Sequence, residues 1–155
     1  NFSVFGHCSS LNDETGGFTA FACWNTQPAG VPEEHIYPEK TTPAVYLRVQ
    51  ALSRIYLDNI KSVQTSYVTQ GMKICQIGLS MGADDFGSAM LEENVVSSAG
   101  CSHPTSIPEI ERHIKDAGYV PQRRNMMYEP VQTPETDKFG KAKGKKKAIV
   151  SQVEA

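Results

Sequence analysis

Four carboxylates, Asp84, Asp85, Glu92 and Glu93, fall within ten residues of the stretch GADDFGSAMLEEN, in a segment otherwise made of small and apolar side chains. Glu92 and Glu93 suit the first turn of a helix, where the dipole favours acids, and Asp84 suits a loop. Asp85 is harder to explain that way. It is followed by Gly87, Ser88 and Ala89, and small residues let a ligand approach the backbone closely. A carboxylate buried without a partner costs several kcal/mol, so a hydroxyl-rich ligand is one natural partner. Carboxylates accept two hydrogen bonds each from such hydroxyls, and an acid beside a reacting centre can move a proton.

Such residues need elements to aim them. Phe18–Cys23 reads as a buried strand that opens at Trp24 into a loop rich in proline and glycine over residues 28–43. Apolar residues Val45, Val49, Leu52 and Tyr56, with Leu47, Ala51 and Ile55, recur at helical spacing and predict a helix over Ala44–Asn59, capped by Thr41 or Thr42. Ser62–Val68 reads as a second strand ending at Thr69-Gln70-Gly71, and Met72–Met81 as a helix with Ile74, Ile77 and Met81 inward, closed by Gly82. Ala83–Met90 is the third expected strand and Glu92–Ala99 a short helix. Ser106 to Glu109 is a capping box opening a helix with Ile107, Ile110 and Ile114 inward, and Tyr119–Val131 an extended closing segment. Strict alternation of strand and helix predicts the α/β class with a parallel sheet. The polar segments Trp24–Gln27, Thr69–Gly71 and Asp84–Glu93 then sit at or late in strands, the ligand side of such folds.

At 155 residues with 39% hydrophobic content, the chain has the size of one ordinary domain. Residues 1–137 carry 16 acidic and 9 basic side chains, net −7, while 138–155 carry six Lys and one Glu, net +5. The lysine run has little aromatic interleaving, so it reads as a solvated, unstructured tail over 132–155 rather than a nucleic-acid surface. No apolar run is long enough to span a membrane, and the chain reads as a soluble, cytoplasmic protein. Cys8, Cys23, Cys75 and Cys101 lack metal-ligand spacing, and His7, His35, His103 and His113 add none. No metal site is expected. The chain opens on Asn1 rather than Met, which reads as a fragment or a processed product.

The segments DETGGFTAFACWNTQP, LRVQALSRIYLDNIKSVQTSYVTQG, GLSMGADDFGSAMLEENVVSSAG and IPEIERHIKDAGYVPQRRNMMYEPV closely resemble the C-terminal half of the cyclic dehypoxanthinyl futalosine synthase family, over residues 11–131. These are radical S-adenosylmethionine enzymes of menaquinone biosynthesis. Aminofutalosine synthase and FO synthase are sister enzymes of similar layout. The resemblance implies the C-terminal part of a (β/α) TIM-type barrel, incomplete in this chain. It also implies S-adenosylmethionine and a [4Fe–4S] cluster as cofactors and a small-molecule nucleoside substrate, cyclised after its ribose hydrogen is abstracted. By matching position, Trp24, Asn25 and Gln27 are expected on the S-adenosylmethionine side. Thr69, Gln70, Gly71 and Ser88 are expected to contact the substrate, and Asp84, Asp85, Glu92 and Glu93 to bind hydroxyls or move a proton.

The chain departs from the family in three places. The cluster motif C-x-x-x-C-x-x-C is absent, which implies an N-terminal half in another chain or a longer polypeptide. Cys23 stands where proline is usual. Residues 1–10 form a divergent segment in which SVFGH resembles the end of a strand, with the helix that should follow it deleted. Several functions compete: the substrate-side portion of a radical cyclase, a non-catalytic nucleoside-binding module or remnant, a related radical enzyme of the aminofutalosine synthase or FO synthase type, and, ranked last, a nucleic-acid binder acting through the basic tail.

Overall fold

The computed structural model describes residues 2–25, 41–89, 105–131 and 147–151. The elements are α1 (Phe2–Thr15), β1 (Ala20–Ala22), α2 (Pro43–Tyr56), β2 (Ser62–Gln64), α3 (Tyr67–Gln70), α4 (Met72–Ser80), β3 (Asp85–Ser88), α5 (Ile107–Asp116), β4 (Val120–Arg124) and β5 (Lys147–Ser151). All strand pairs are parallel, in the order β1-β2-β3-β5-β4. The α/β class with a parallel sheet is therefore as expected. Helices α1, α2, α4 and α5 lie side by side in one layer. Between that layer and the sheet lies a core of Tyr67, Val68, Cys75, Leu79, Ala83, Phe86, Ile110 and Ile114.

Side chains alternate along a strand, so Phe86, which enters this core, sets the opposite direction for Asp85. Asp85 pairs in register with Gln64 and, through Ile149 of β5, with Gln122. Gln64, Asp85, Gln122 and Arg124 therefore share the face away from the helices. A parallel sheet ordinarily has both faces buried in apolar material. Here one face is polar.

Several expectations are corrected. Residues 2–15 are a full helix rather than a strand end with its helix lost. Tertiary anchoring holds it. The Asn12 side chain donates to Asn59 O (2.9 Å) and accepts from Phe18 N–H (2.8 Å), and Phe5 packs on Phe21 and Tyr56. The tail contains β5, which contradicts a wholly unstructured 132–155. Its β-branched pair Ile149–Val150 suits a strand, and it fills the place between β3 and β4. Helix α2 turns a different face inward from the one its apolar spacing predicts: Tyr46, Gln50 and Ser53 are buried, whereas Val45, Leu52, Ile55 and Tyr56 are exposed. Polar anchors decide this. Tyr46 Oη meets Thr65 Oγ1 (3.2 Å) and accepts from Ser66 N–H (2.9 Å), and Ser53 Oγ lies 3.4 Å from Cys23 Sγ. In α4, Ile77 and Met81 are exposed and Cys75 and Leu79 take the inward positions. The second strand is shorter than expected, because the chain turns into α3 after Ser66.

Candidate functional site

The C-terminal ends of the strands carry most of the described polar residues singled out above. Trp24 and Asn25 follow β1, Thr69 and Gln70 belong to α3 directly after β2, Gly71 closes that turn, and Ser88 ends β3. Gln70 Nε2 donates to Asn25 Oδ1 at 2.5 Å, which joins the expected cofactor side to the expected substrate side. Thr69 is buried and its hydroxyl donates to Ser66 Oγ (3.0 Å), while the Tyr67 hydroxyl donates to Ser88 O (2.7 Å). Trp24 is half exposed at the rim, at 53%. Gln27, Glu92 and Glu93 lie outside the described residues.

Asp85 sits on the polar face, 0% exposed, with Arg124 Nε donating to its Oδ2 at 2.5 Å and Gly87 N–H to its Oδ1 at 2.6 Å. Burial pushes its carboxyl above the ordinary range, and Arg124 and the Gly87 amide pull against that shift. Arg124, itself 2% exposed, ends β4 and donates through Nη1 to Asn125 O (3.1 Å). The ring of Tyr128 lies 3.6 Å from its guanidinium carbon. The Tyr128 hydroxyl reaches Gln64 Oε1 at 3.4 Å, so a single side chain from the turn after β4 spans the sheet to β2.

Asp84 is placed quite differently. Its Oδ1 accepts from Val63 N–H (2.9 Å) and Ser62 Oγ (3.2 Å), and its Oδ2 pairs with Arg54 Nη2 (2.8 Å). Arg54 lies in the last turn of α2, and Asp84 immediately precedes β3. This is the N-terminal end of the sheet, the end that governs stability rather than chemistry in barrel-like folds. The two adjacent aspartates thus serve opposite faces of the sheet.

The chain matches the family described as CofH/MqnC C-terminal region over residues 15–137. It belongs to that family. Among curated relatives, it is 43% identical over 121 residues to the cyclic dehypoxanthine futalosine synthase of Halalkalibacterium halodurans, covering 78% of this chain and 32% of that protein. The protein of the same name from Streptomyces coelicolor is 44% identical over 122 residues, 77% of this chain and 29% of the relative. The 5-amino-6-(D-ribitylamino)uracil–L-tyrosine 4-hydroxyphenyl transferase of Methanococcus maripaludis is 37% identical over 130 residues, 79% of this chain and 36% of the relative. The chain therefore spans about a third of the length of the curated relatives it matches.

The cysteines do not fit an iron–sulfur cluster. Among the described residues, no three His, Cys, Asp or Glu side chains converge to hold a metal. Burial pushes the Cys75 thiol up to about 12 and raises that of Cys23, the opposite of the thiolate character that cluster ligation needs. Sequence reading missed Arg124, Tyr128 and Gln64. The signal was available for one of them: a charged residue late in a closing strand, opposite a strand bearing Asp85, is a candidate buried ion pair.

Proposed function

We propose that this chain is the substrate-side portion of a radical S-adenosylmethionine enzyme that converts dehypoxanthine futalosine to its cyclic form for menaquinone synthesis. It would complete a TIM-type barrel whose cluster-bearing part precedes it or stands in another chain. The observation that carries the reading is the match over residues 15–137 to a family whose members include two synthases of this name. The polar side chains at the C-terminal strand ends support it, because that edge is where barrels hold ligands.

Within this reading the residues divide their work. Thr69, Gln70, Gly71 and Ser88 contact the nucleoside's hydroxyls, and Glu92 and Glu93 take the proton-moving role that family position gives them. Asp85 is too deeply buried to meet ligand directly, so with Arg124 it forms a fixed floor beneath the site. Asp84 ties β3 to β2 and α2. The exposed Trp24 indole and the Asn25 amide suit the edge of S-adenosylmethionine, which supplies a 5′-deoxyadenosyl radical when a reduced cluster is present. No step is assigned to the cluster in this chain.

The test is a chimera in which residues 15–137 replace the matching C-terminal part of the Streptomyces coelicolor relative. The expected outcome is formation of 5′-deoxyadenosine and cyclic product from dehypoxanthine futalosine. Transfer of a 4-hydroxyphenyl group to a ribitylaminouracil instead would move the chain to the sister chemistry. The second reading is a nucleoside-binding module or remnant without radical chemistry. It predicts an inactive chimera that still binds the nucleoside.

A further inference from the structure

The order β1-β2-β3-β5-β4 places the last strand of the chain inside the sheet rather than at its edge. Strands β3 and β4 follow one another in sequence with only α5 described between them, and both lie within the family match over residues 15–137. Strand β5 (Lys147–Ser151) lies beyond that match. A barrel of repeated strand–helix units sets its strands side by side in chain order. β5 therefore stands where such a barrel has a direct β3–β4 ladder.

The two seams of this inserted strand are unequal. Against β4 it pairs residue for residue, from Val120 with Lys147 to Arg124 with Ser151. Against β3 only Asp85 with Ile149 and Ser88 with Ser151 are paired, and the register shifts between them. Gly87, at φ 91°, lies in that stretch, and a positive φ departs from extended strand geometry. The flanking strands are also joined without the insert, because the buried Arg124 side chain of β4 reaches Asp85 of β3 across β5. Strands lie about 4.8 Å apart, so β5 holds β3 and β4 about 10 Å apart. Direct pairing would halve that gap and keep the ion pair within reach. Among the described strands, β1 and β4 are edges, and only closure removes the unpaired backbone groups of an edge.

We propose that Lys147–Ser151 is a placeholder strand. It fills the slot between β3 and β4 while the chain stands alone, and it leaves that slot when the barrel closes, so that β3 pairs with β4 directly. The partner that releases it is the barrel's N-terminal part, which supplies neighbours for the β1 and β4 edges and so favours the closed order. The proposal rests on the barrel reading given above.

The first test is Ile149→Pro in the full chain, because proline removes a ladder hydrogen bond and is excluded from the middle of a sheet. Backbone NOEs measured by NMR report which strands are neighbours. In the wild-type chain β5 should show NOEs to β3 and β4, and its amides should have protection factors at least about tenfold below those of β2, since a displaceable strand opens without global unfolding. In Ile149→Pro the β5 NOEs should vanish, and NOEs between Asp85–Ser88 and Val120–Arg124 should replace them with the rest of the sheet retained. Loss of the whole fold in this variant overturns the proposal, as does a sheet in which β3 and β4 stay apart. Wild-type β5 amides as protected as those of β2 also overturn it.

The second test is hydrogen exchange by mass spectrometry on a chimera that carries residues 15–155 in place of the matching part of the Streptomyces coelicolor relative. Closure should release the strand, so residues 147–151 should exchange at least about tenfold faster there than in the chain alone. An active chimera with β5 as protected as in the chain alone refutes the placeholder and leaves the cyclase reading standing. An inactive chimera that has released β5 refutes the cyclase reading and supports the placeholder.

Discussion

Asp84 and Asp85 are joined by one peptide bond and do opposite things. Asp84, at the N-terminal end of β3, has a half-exposed carboxylate that clasps two backbone and side-chain donors of β2 and the Arg54 guanidinium. Asp85 points to the polar face, is fully buried, and meets Arg124 from the far end of β4. One face of the sheet is fastened by solvent-screened contacts that many sequences could replace. The other depends on a buried charge pair whose members cannot be changed singly. Residue type is the same at both positions, and only the pleat of the strand separates their roles.

The sharpest way to break this contrast is Arg124→Ala. Removing one member of a buried pair leaves an uncompensated charge, and the expected loss of stability is about 3–5 kcal/mol, read as a drop in the urea midpoint. A double substitution, Arg124→Met with Asp85→Leu, should recover most of it, since two apolar groups of similar size leave no orphan charge. A double variant as unstable as the single one would mean that the pair holds more than its own charges.

Alkaline pH should loosen the C-terminal end next. Burial pushes the Cys75 thiol up to about 12 and the Tyr46 phenol up to about 12, against ordinary values of 9.0 and 10.0. Above pH 9 the unfolded chain releases protons that the folded chain keeps. The folded state then binds more protons, so stability falls as pH rises, by up to about 1.4 kcal/mol per pH unit for each group. Denaturant midpoints measured from about pH 8 to about pH 10.5 should decline, and Cys75→Ala and Tyr46→Phe should each flatten the decline. Because the Tyr46 hydroxyl holds Ser66 N–H, exchange at that amide should quicken with it.

The N-terminal end answers to a smaller change. Gly82 has φ 98°, and a Cβ there would stand 2.8 Å from Arg54 Cβ and Cγ. Gly82→Ala should therefore cost about 1–2 kcal/mol through backbone strain and displacement of Arg54. The same variant should leave the Asp85–Arg124 pair untouched, so Arg124→Ala should cost the same in its background.

Much of this architecture was legible from spacing and punctuation. The strand–helix alternation, the start of α2 at Thr42, whose Oγ1 accepts from Val45 N–H at 3.3 Å, and the inward Ile110 and Ile114 all follow from local rules. What local rules could not supply was the direction of a face chosen by a distant partner. Helix α2 carries apolar residues at helical spacing, yet it buries Tyr46, Gln50 and Ser53: the Thr65 hydroxyl just after β2 lies opposite Tyr46 and the thiol after β1 opposite Ser53. Helix α1 has little amphipathic signal and is fixed by Asn12 and Asn59, far apart in sequence. The strand Lys147–Ser151 follows a lysine-rich run that reads as solvated, and it was hidden because its hydrogen-bonding partners, β3 and β4, are remote. At the site, the polar strand ends were visible, but the Asp85–Arg124–Tyr128 arrangement needed the register of four strands.

Asp84→Asn is the mildest change and the most direct check on the comparison. Asparagine keeps an oxygen for Val63 N–H and Ser62, so those bonds survive and only the charge opposite Arg54 is lost. The Asp84 and Arg54 side chains are 36% and 29% exposed, and solvent and salt screen such a pair. The expected cost is about 0.5–1 kcal/mol at low salt, shrinking as ionic strength rises. Asp84→Ala should cost more, about 1–2 kcal/mol, because it also leaves the Val63 amide without its acceptor. Urea melts at low and high salt separate the two contributions. Neither variant should change the cost of Arg124→Ala, since Asp84 and the buried pair lie on opposite faces of the sheet and share no partner. A cost of Arg124→Ala that changes in the Asp84→Asn background would couple the two carboxylates and erase the division between the two faces.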